Sequence, residues 1–341
     1  MKTWERGLLD REGRTSCPRS HFTRRRFLNQ HLDGLVIKAI SGFFTVKTAQ
    51  GDIVCQLPGR LKQEWQSSSI LAVGDEVMIS LNEDGTGVIE EIAPRRAVLS
   101  RTRPSADVRK LTADQEQVLV ANPDQLVFVF SIKTPSPSLR KLDRFLTVAE
   151  MNELPTIICI NKIDLDNLDK IRQKFQLYAD IGYRVIYTSA KEGIGIDELK
   201  ACLHDKITVF AGSSGVGKSS LLNAVQPGLG LKVNQVSDAT GKGLHTTRYA
   251  ELIPLAGGGY VADTPGIRGL ALFDLEPSEL DAYFREIAPL VSNCQFSDCT
   301  HQHEPKCAVR TAVKEGRVSQ QRYESYLRLR EEHEMLDKKA Y

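Results

Sequence analysis

The stretch "YTSAKEGIGIDELKACLHDKITVFAGSSGVGKSSLLNAV", residues 187–225, sets a glycine-rich loop between an apolar, strand-like run (207–211) and a helix-like run (220–225). Gly212, Ser213, Ser214, Gly215, Val216, Gly217, Lys218 and Ser219 fit the phosphate-loop pattern, and the strand before and helix after are the context that pattern requires. The glycines let backbone N–H groups curl around phosphate oxygens at a helix N-terminus, where the dipole favours anions. Lys218 is expected to reach the β- and γ-phosphates, with the Ser219 hydroxyl on Mg²⁺ and Ser220 beside it opening the helix. A chance glycine-rich turn would need neither flank.

Three short motifs surround this loop. "DTPG", residues 263–266, follows the apolar run "YVA". There Asp263 is placed to hold Mg²⁺, directly or through water, and the Gly266 N–H to sense a γ-phosphate. "NKID", residues 161–164, follows the buried-looking "TIICI". A carboxylate at Asp164 can accept two hydrogen bonds from guanine N1–H and its exocyclic amine; adenine supplies neither, and the unmet buried acceptor would cost roughly several kcal/mol. Asn161 is expected to tie this loop to its neighbours, with the Lys162 stem over the base and Ile163 between them. "TSAK", residues 188–191, ends the next strand, bringing Ser189, Ala190 and Lys191 to the base and the Ala190 N–H towards guanine O6. The ligand this predicts is GTP, not ATP.

The order is unusual, because the base-reading tetrad precedes the phosphate loop. In a parallel α/β sheet the ligand lies at the carboxyl ends of the strands, so the spatial site survives a change of chain order. The chain is therefore expected to be a circularly permuted nucleotide-binding domain. Its γ-phosphate-sensing segment then runs into the C-terminal region, where hydrolysis could be felt.

The apolar runs "QLVFVFSI", "TIICI", "VIYT", "ITVFA" and "YVA" alternate with helix-like stretches, the rhythm of a parallel sheet with crossover helices over 123–275. Upstream, 33–97 reads as short strands broken at Gly42, Gln50-Gly51-Asp52, Gly74-Asp75 and Asp84-Gly85, which predicts a small OB-like β-barrel. Phe43 and Phe44 occupy adjacent strand positions, so one faces in and one out, and the outer ring is available to stack on an RNA base. Residues 98–122, of mixed charge and weak period, read as a linker. Residues 1–32 are a basic extension with the run Arg24, Arg25, Arg26, which reads as a solvated tail or an RNA-gripping arm.

With 41% hydrophobic and 26% charged residues, and no apolar run of membrane-span length, a soluble cytoplasmic protein without a membrane partner is expected. A formal charge of +2 is too small to argue for nucleic acid by itself. There is no sign of homo-oligomer formation, so a monomer is the expectation. Of seven cysteines, three crowd into "CQFSDCTHQHEPKC". Cys294, Cys299 and Cys307 with one imidazole, His301 or His303, can complete a closed tetrahedral Zn²⁺ shell with a structural role in a small helical domain over 276–341. A disulfide would strand one thiol and conflicts with a cytosolic profile. Arg322, Arg328 and Arg330 on the charged tail suit either a solvated helix or a ribosome contact.

The order NKID, SAK, GSSGVGKS, "GKGLHTTR" and "GGGYVADTPGIR" resembles that of the RsgA (YjeQ) family of circularly permuted, ribosome small-subunit-dependent GTPases, from about residue 33 to 336. The resemblance implies an N-terminal OB domain, a permuted GTPase domain, a zinc-binding C-terminal domain and a role in late maturation of the small ribosomal subunit, with that subunit and its rRNA as partners. It also implies His301 as the fourth zinc ligand. Many GTPases carry a water-orienting glutamine after the DxxG glycine, where this chain has Ile267. His245 is the replacement the resemblance offers, with Thr246 or Thr247 as a further Mg²⁺ ligand sensing the γ-phosphate. A GTP-dependent RNA-binding switch acting on a non-ribosomal RNA is the alternative.

Overall fold

The computed structural model describes residues 31–59, 70–102, 116–231, 251–263 and 276–340. Residues 1–30 of the basic extension, His245, Thr246, Thr247 and Gly266 lie outside these, whereas His31 and Leu32, expected in the extension, begin the first strand. Five strands, β1 (His31–Ile40), β2 (Phe43–Thr48), β3 (Gly51–Gln56), β4 (Glu76–Leu81) and β5 (Gly87–Ile92), close in the order β1-β2-β3-β5-β4-β1. Pairing is antiparallel except between β3 and β5, giving the five-stranded OB-like barrel expected. Its interior is Val36, Val46, Ile53, Cys55, Leu57, Val77, Ile79 and Ile89. As the alternation requires, Phe44 packs against this core while Phe43 is exposed.

A bulge between Val36 and Lys38 turns β1 outward. Lys38 then pairs with Glu251 both in register and by a 3.0 Å salt bridge, joining the barrel to the edge of the second sheet. The stretch expected to be a linker carries structure of its own: β6 (Val98–Thr102) and β7 (Glu116–Ala121) form an antiparallel pair. Leu99, Leu119, Val120 and Ala121 are buried there. This pair seats the barrel, because the Ala121 N–H donates to Val73 O (2.8 Å) and the Asn122 amide to Gly74 O (3.0 Å). Gly74 is obligatory at that contact, with φ +92° and an added Cβ only 2.0 Å from Ala121 O.

The second sheet contains β8 (Gln125–Ser131), β9 (Thr156–Asn161), β10 (Arg184–Tyr187), β11 (Ile207–Ala211), β12 (Glu251–Pro254) and β13 (Tyr260–Asp263), in the order β10-β9-β8-β11-β13-β12. All neighbours are parallel except β12 with β13. Both faces are covered, which is why these strands read as continuous apolar runs. Leu126, Phe128 and Phe130 of β8 face α1 (Leu139–Met151) and α2 (Leu168–Asp180). Val127 and Val129 face α3 (Ile196–Leu203) and α4 (Lys218–Val225).

The C-terminal region adds a 3-10 turn at Leu280–Tyr283, short helices α5 (Ala288–Val291) and α6 (Ala308–Lys314), and the long α7 (Gln320–Ala340). Leu280, Phe284, Ile287, Tyr326 and Leu329 belong to the same apolar cluster as Leu142, Phe145 and Leu146 of α1. The tail arginines correct the expectation of a solvated helix or ribosome contact at two positions. Arg322 is 1% exposed and bridges Asp143 (2.8 Å) and Glu286 (2.6 Å). Arg330 is also buried and donates to Pro277 O, whereas Arg328 is exposed. Among the described residues no helix is long and apolar enough to cross a membrane.

Candidate nucleotide site and candidate metal centre

Each predicted motif with described residues lies at the carboxyl end of a parallel strand: the NKID loop after β9, TSAK after β10, the phosphate loop after β11, and Asp263 as the last residue of β13. The phosphate loop runs into α4, which begins at Lys218. Two of its glycines sit where no other residue fits. An added Cβ at Gly212 would fall 2.3 Å from Val129 O, and one at Gly217 (φ +98°) would fall 2.3 Å from the Asn161 amide nitrogen. Val216 is buried beneath the loop. The Lys218 ammonium donates to Gly212 O (2.8 Å) and Ser213 O (3.1 Å), which holds it over the curve of the loop. Ser214, Ser219 and Ser220 are half-buried there.

Hydrogen bonds join this loop to the other two. Asn161, 1% exposed, donates from Nδ2 to Val216 O (2.9 Å), while its Oδ1 accepts from the Ala190 N–H (3.2 Å) and the Thr188 hydroxyl (3.4 Å). Lys162, whose backbone is left-handed (φ +65°), reaches Gly215 O (2.7 Å) and Thr134 O (2.8 Å). Burial pulls its ammonium down from the ordinary lysine value, with Asp164 opposing. The Ser189 hydroxyl donates to Asp164 Oδ1 at 2.6 Å and so orients that carboxylate. Ile163 is buried and ties to the TSAK strand through its N–H to Thr188 O (3.2 Å). Lys191 is exposed beside Glu192. The Ala190 N–H is engaged by Asn161, so meeting a base oxygen requires sharing that bond. Thr134 and Lys133, in the β8–α1 connection, were missed; their signal was position, since every loop at the carboxyl edge of such a sheet borders the ligand.

The cysteine cluster also assembles. The ligand atoms of Cys294, Cys299, His301 and Cys307 all lie within 4.8 Å of one another, and His303 is exposed outside them. His301 Nδ1 is 3.4 Å from Cys307 Sγ and 3.6 Å from Cys294 Sγ, and the two sulfurs are 4.0 Å apart. A tetrahedral ion with Zn–S of about 2.3 Å and Zn–N of about 2.0 Å needs ligand atoms roughly 3.5–3.8 Å apart, so the donor set fits. His301 Nε2 meets Asp281 Oδ2 at 3.0 Å. A carboxylate only accepts, so the proton sits on Nε2 and the Nδ1 lone pair faces the sulfurs. Asp281, thirteen residues before the first cysteine, gave no sequence signal. Tyr323 and Tyr326 of α7 hold the loop by hydrogen bonds to His301 O (2.6 Å) and Thr300 O (3.2 Å).

A doubly covered parallel sheet with a phosphate loop and a guanine-type loop bound to each other, in reversed chain order, defines a circularly permuted P-loop GTPase carrying a barrel and a Cys₃His module. The comparisons agree. A model of the RsgA GTPase matches residues 92–273, and one of the RsgA N-terminal domain matches residues 33–89. The chain is 41% identical over 308 residues to "Small ribosomal subunit biogenesis GTPase RsgA 2" of Bacteroides thetaiotaomicron, covering 89% of this chain and 97% of the relative. It is 41% identical over 307 residues to the RsgA of Thermotoga maritima. The crystal structure of YjeQ from Thermotoga maritima superposes with a TM-score of 0.73 at 39% identity, covering 89% of this chain and 98% of that one. The structure of YloQ, described as a circularly permuted GTPase, gives 0.69 at 36% identity over 90% of this chain and 97% of that one. The chain belongs to the RsgA GTPase family.

Proposed function

We propose that this GTPase hydrolyses GTP to GDP and phosphate at the loops after β9, β10, β11 and β13, and acts in biogenesis of the small ribosomal subunit, the role its relatives' names state. The observation that carries the nucleotide reading is the bonding of Asn161 and Lys162 to the phosphate loop and of Ser189 to Asp164, which makes three separate motifs one pocket. In this reading Asp164 accepts from guanine, Lys218 and the loop N–H groups hold the phosphates, and Gly266 senses the γ-phosphate. Ser219, Asp263 and Thr246 or Thr247 would hold Mg²⁺, which supplies neutralisation of phosphate charge when bound. Zinc is the metal that three thiolates and one imidazole best fit, and with no open position its role is structural. The division proposed is 1–32, 33–97, 98–122, 123–275 and 276–341, a monomer located in the cytoplasm.

Calorimetric titration of GTP and ATP in the presence of Mg²⁺ tests the reading: tight binding of guanine nucleotides only is expected, and equal affinities would overturn it. Lys218→Ala is expected to lower single-turnover hydrolysis by at least about a hundredfold, since the ammonium sits where charge develops on the transferred phosphoryl group. Co-sedimentation with purified small subunits in a non-hydrolysable GTP analogue tests the partner, and failure to co-migrate favours a different RNA.

Ile267 cannot polarise water, so intrinsic turnover is expected to be slow and subunit-stimulated, with His245 brought to the attacking water on docking. His245→Ala should then remove the stimulation, a drop of about 10²–10⁴ in the stimulated rate, while the unstimulated rate hardly moves. A stimulated rate unchanged in that variant rules the role out.

A further inference from the structure

The base-reading loop is held from a side that none of the recognised motifs occupies. Lys133, in the connection from β8 to α1, donates to Leu165 O at 2.7 Å and pairs with Asp166 at 3.3 Å. In return Lys162, from the base-reading loop, donates to Thr134 O at 2.8 Å. Two lysines thus exchange carbonyls between the two loops. The β8 side of this clasp is itself fixed, because the Ser131 hydroxyl donates to Lys133 O and Pro135 O.

The 3-10 turn Ile163–Leu165, with Asp164 at its centre, follows Lys162 directly and ends at the carbonyl that Lys133 holds. The turn is closed by the Leu165 N–H to Lys162 O at 3.1 Å and a long Asp166 N–H to Ile163 O at 3.5 Å, and short 3-10 turns have poor internal geometry of their own. Its first residue is held through the Ile163 N–H to Thr188 O (3.2 Å), the preceding Lys162 is held by its ammonium, and its last carbonyl is held by Lys133. We propose that Lys133 is a positioning residue for guanine specificity: by anchoring Leu165 O it fixes the turn that aims the Asp164 carboxylate at the base. This rests on the guanine-site reading above.

The simpler possibility is a surface ion pair between Lys133 and Asp166, which are 52% and 43% exposed and would contribute little. The two differ in what a base analogue reports. Hypoxanthine lacks the exocyclic amine that Asp164 accepts from, so the ratio of GDP to IDP affinity reads the carboxylate's placement, whereas general loosening weakens both alike.

The experiment is calorimetric titration of the full chain with GDP and IDP, together with steady-state GTP kinetics. Lys133→Met is expected to weaken GDP binding about fivefold and to narrow the GDP-to-IDP ratio about threefold, the size of one charge-assisted hydrogen bond discounted for exposure. KM for GTP should rise with kcat held. Lys133→Arg should restore the ratio, and Asp166→Asn, which keeps the Leu165 contact, should leave it unchanged; Lys133→Gln, which keeps a donor on a shorter stem, serves if the methionine variant is poorly folded. An unchanged ratio in the methionine variant, equal weakening of GDP and IDP, or an Asp166→Asn variant that reproduces the loss overturns the proposal. Asp164→Asn is the separate check on the underlying site. Failure of that variant to lose guanine preference sinks the guanine reading itself, whereas its success alongside an inert Lys133→Met sinks only the role of Lys133.

Discussion

Arg322→Ala is expected to destabilise the protein by roughly 3–5 kcal/mol, because it strands two buried carboxylates. Asp143 is fully buried on α1, and the Glu286 side chain is 6% exposed. The guanidinium donates to Asp143 Oδ1 (2.8 Å) and takes Glu286 in a two-pronged contact (2.6 and 3.2 Å). Its face lies 4.4 Å over the Phe284 ring. Burial alone would lower its pKa; hydrogen bonds to Glu286 and the field of both carboxylates outweigh that and raise it. Tyr178 (2.9 Å) and Ser325 complete the shell around Asp143. Arg322→Lys keeps the charge and loses the fork, so it should fall between wild type and alanine. Chemical denaturation checks the series, and a loss below about 1 kcal/mol for alanine would mean the carboxylates find other partners or water.

The same network bears on how a nucleotide signal can travel. From the permuted order, GTP hydrolysis is expected to be felt in the C-terminal domain. The domain instead shares its apolar core with α1, and a second clamp repeats the first: Arg285 pairs with Glu150 of α1 (2.8 Å) and lies 4.0 Å over the Tyr183 ring. Moving the domain relative to the sheet would require breaking the buried Arg322 network and the half-buried Arg285–Glu150 pair. Such a motion is costly compared with rearrangement of loops at the carboxyl edge, and the nucleotide is better placed to act on those loops than on the domain as a whole.

What could be read from the residues alone followed from how locally each signal was written. The phosphate loop and NKID tetrad were legible because their chemistry constrains consecutive residues, and their adjacency followed from the rule that strand ends meet. The barrel was legible in its turns, where Gly42, Gly51, Gly74 and Gly85 take positive φ. The β6–β7 pair was not, since its apolar runs are short (98–99 and 118–121) and the two strands are separated by 13 residues in the chain. The burial of α7 was hidden for a related reason. Arg322, Tyr326, Leu329, Arg330 and His333 form one buried helical stripe, but arginines on it read as a solvated face until Asp143, Glu286 and Pro277 O supply their partners. Asp281 was hidden in the same way, its role set by where the chain returns.

Stripping the metal is expected to unravel the C-terminal module while sparing the nucleotide site. Cys299, His301 and Cys307 are all buried, and burial pushes the Cys299 thiol up to about 12, so without a cation the cluster would hold neutral thiols joined only by weak sulfur hydrogen bonds. Local structure between the 3-10 turn at Leu280–Tyr283 and α7 is thin, since α5 has four residues and α6 seven, too short to persist alone. The Cys307 sulfur also caps the N-terminus of α6 through the Arg310 N–H (3.5 Å). Structural zinc binding is worth about 10–16 kcal/mol apparent in small zinc modules, ample to decide whether such a module is folded. Chelation under mild denaturant should therefore free the backbone at Lys306, Arg310, Lys314 and Arg317 for cleavage by trypsin and lower the thermal midpoint, while GDP affinity changes by less than about threefold because the loops after β9 and β11 do not touch the cluster. Asp281→Asn offers a finer cut. It leaves all four candidate ligands in place but removes the carboxylate charge that accepts from His301 Nε2, so metal affinity should fall about 10–100-fold in competition with a chromogenic chelator. Metal-free protein as resistant to trypsin as the loaded form would show that the apolar contacts of Phe284 and Tyr326 hold the module by themselves.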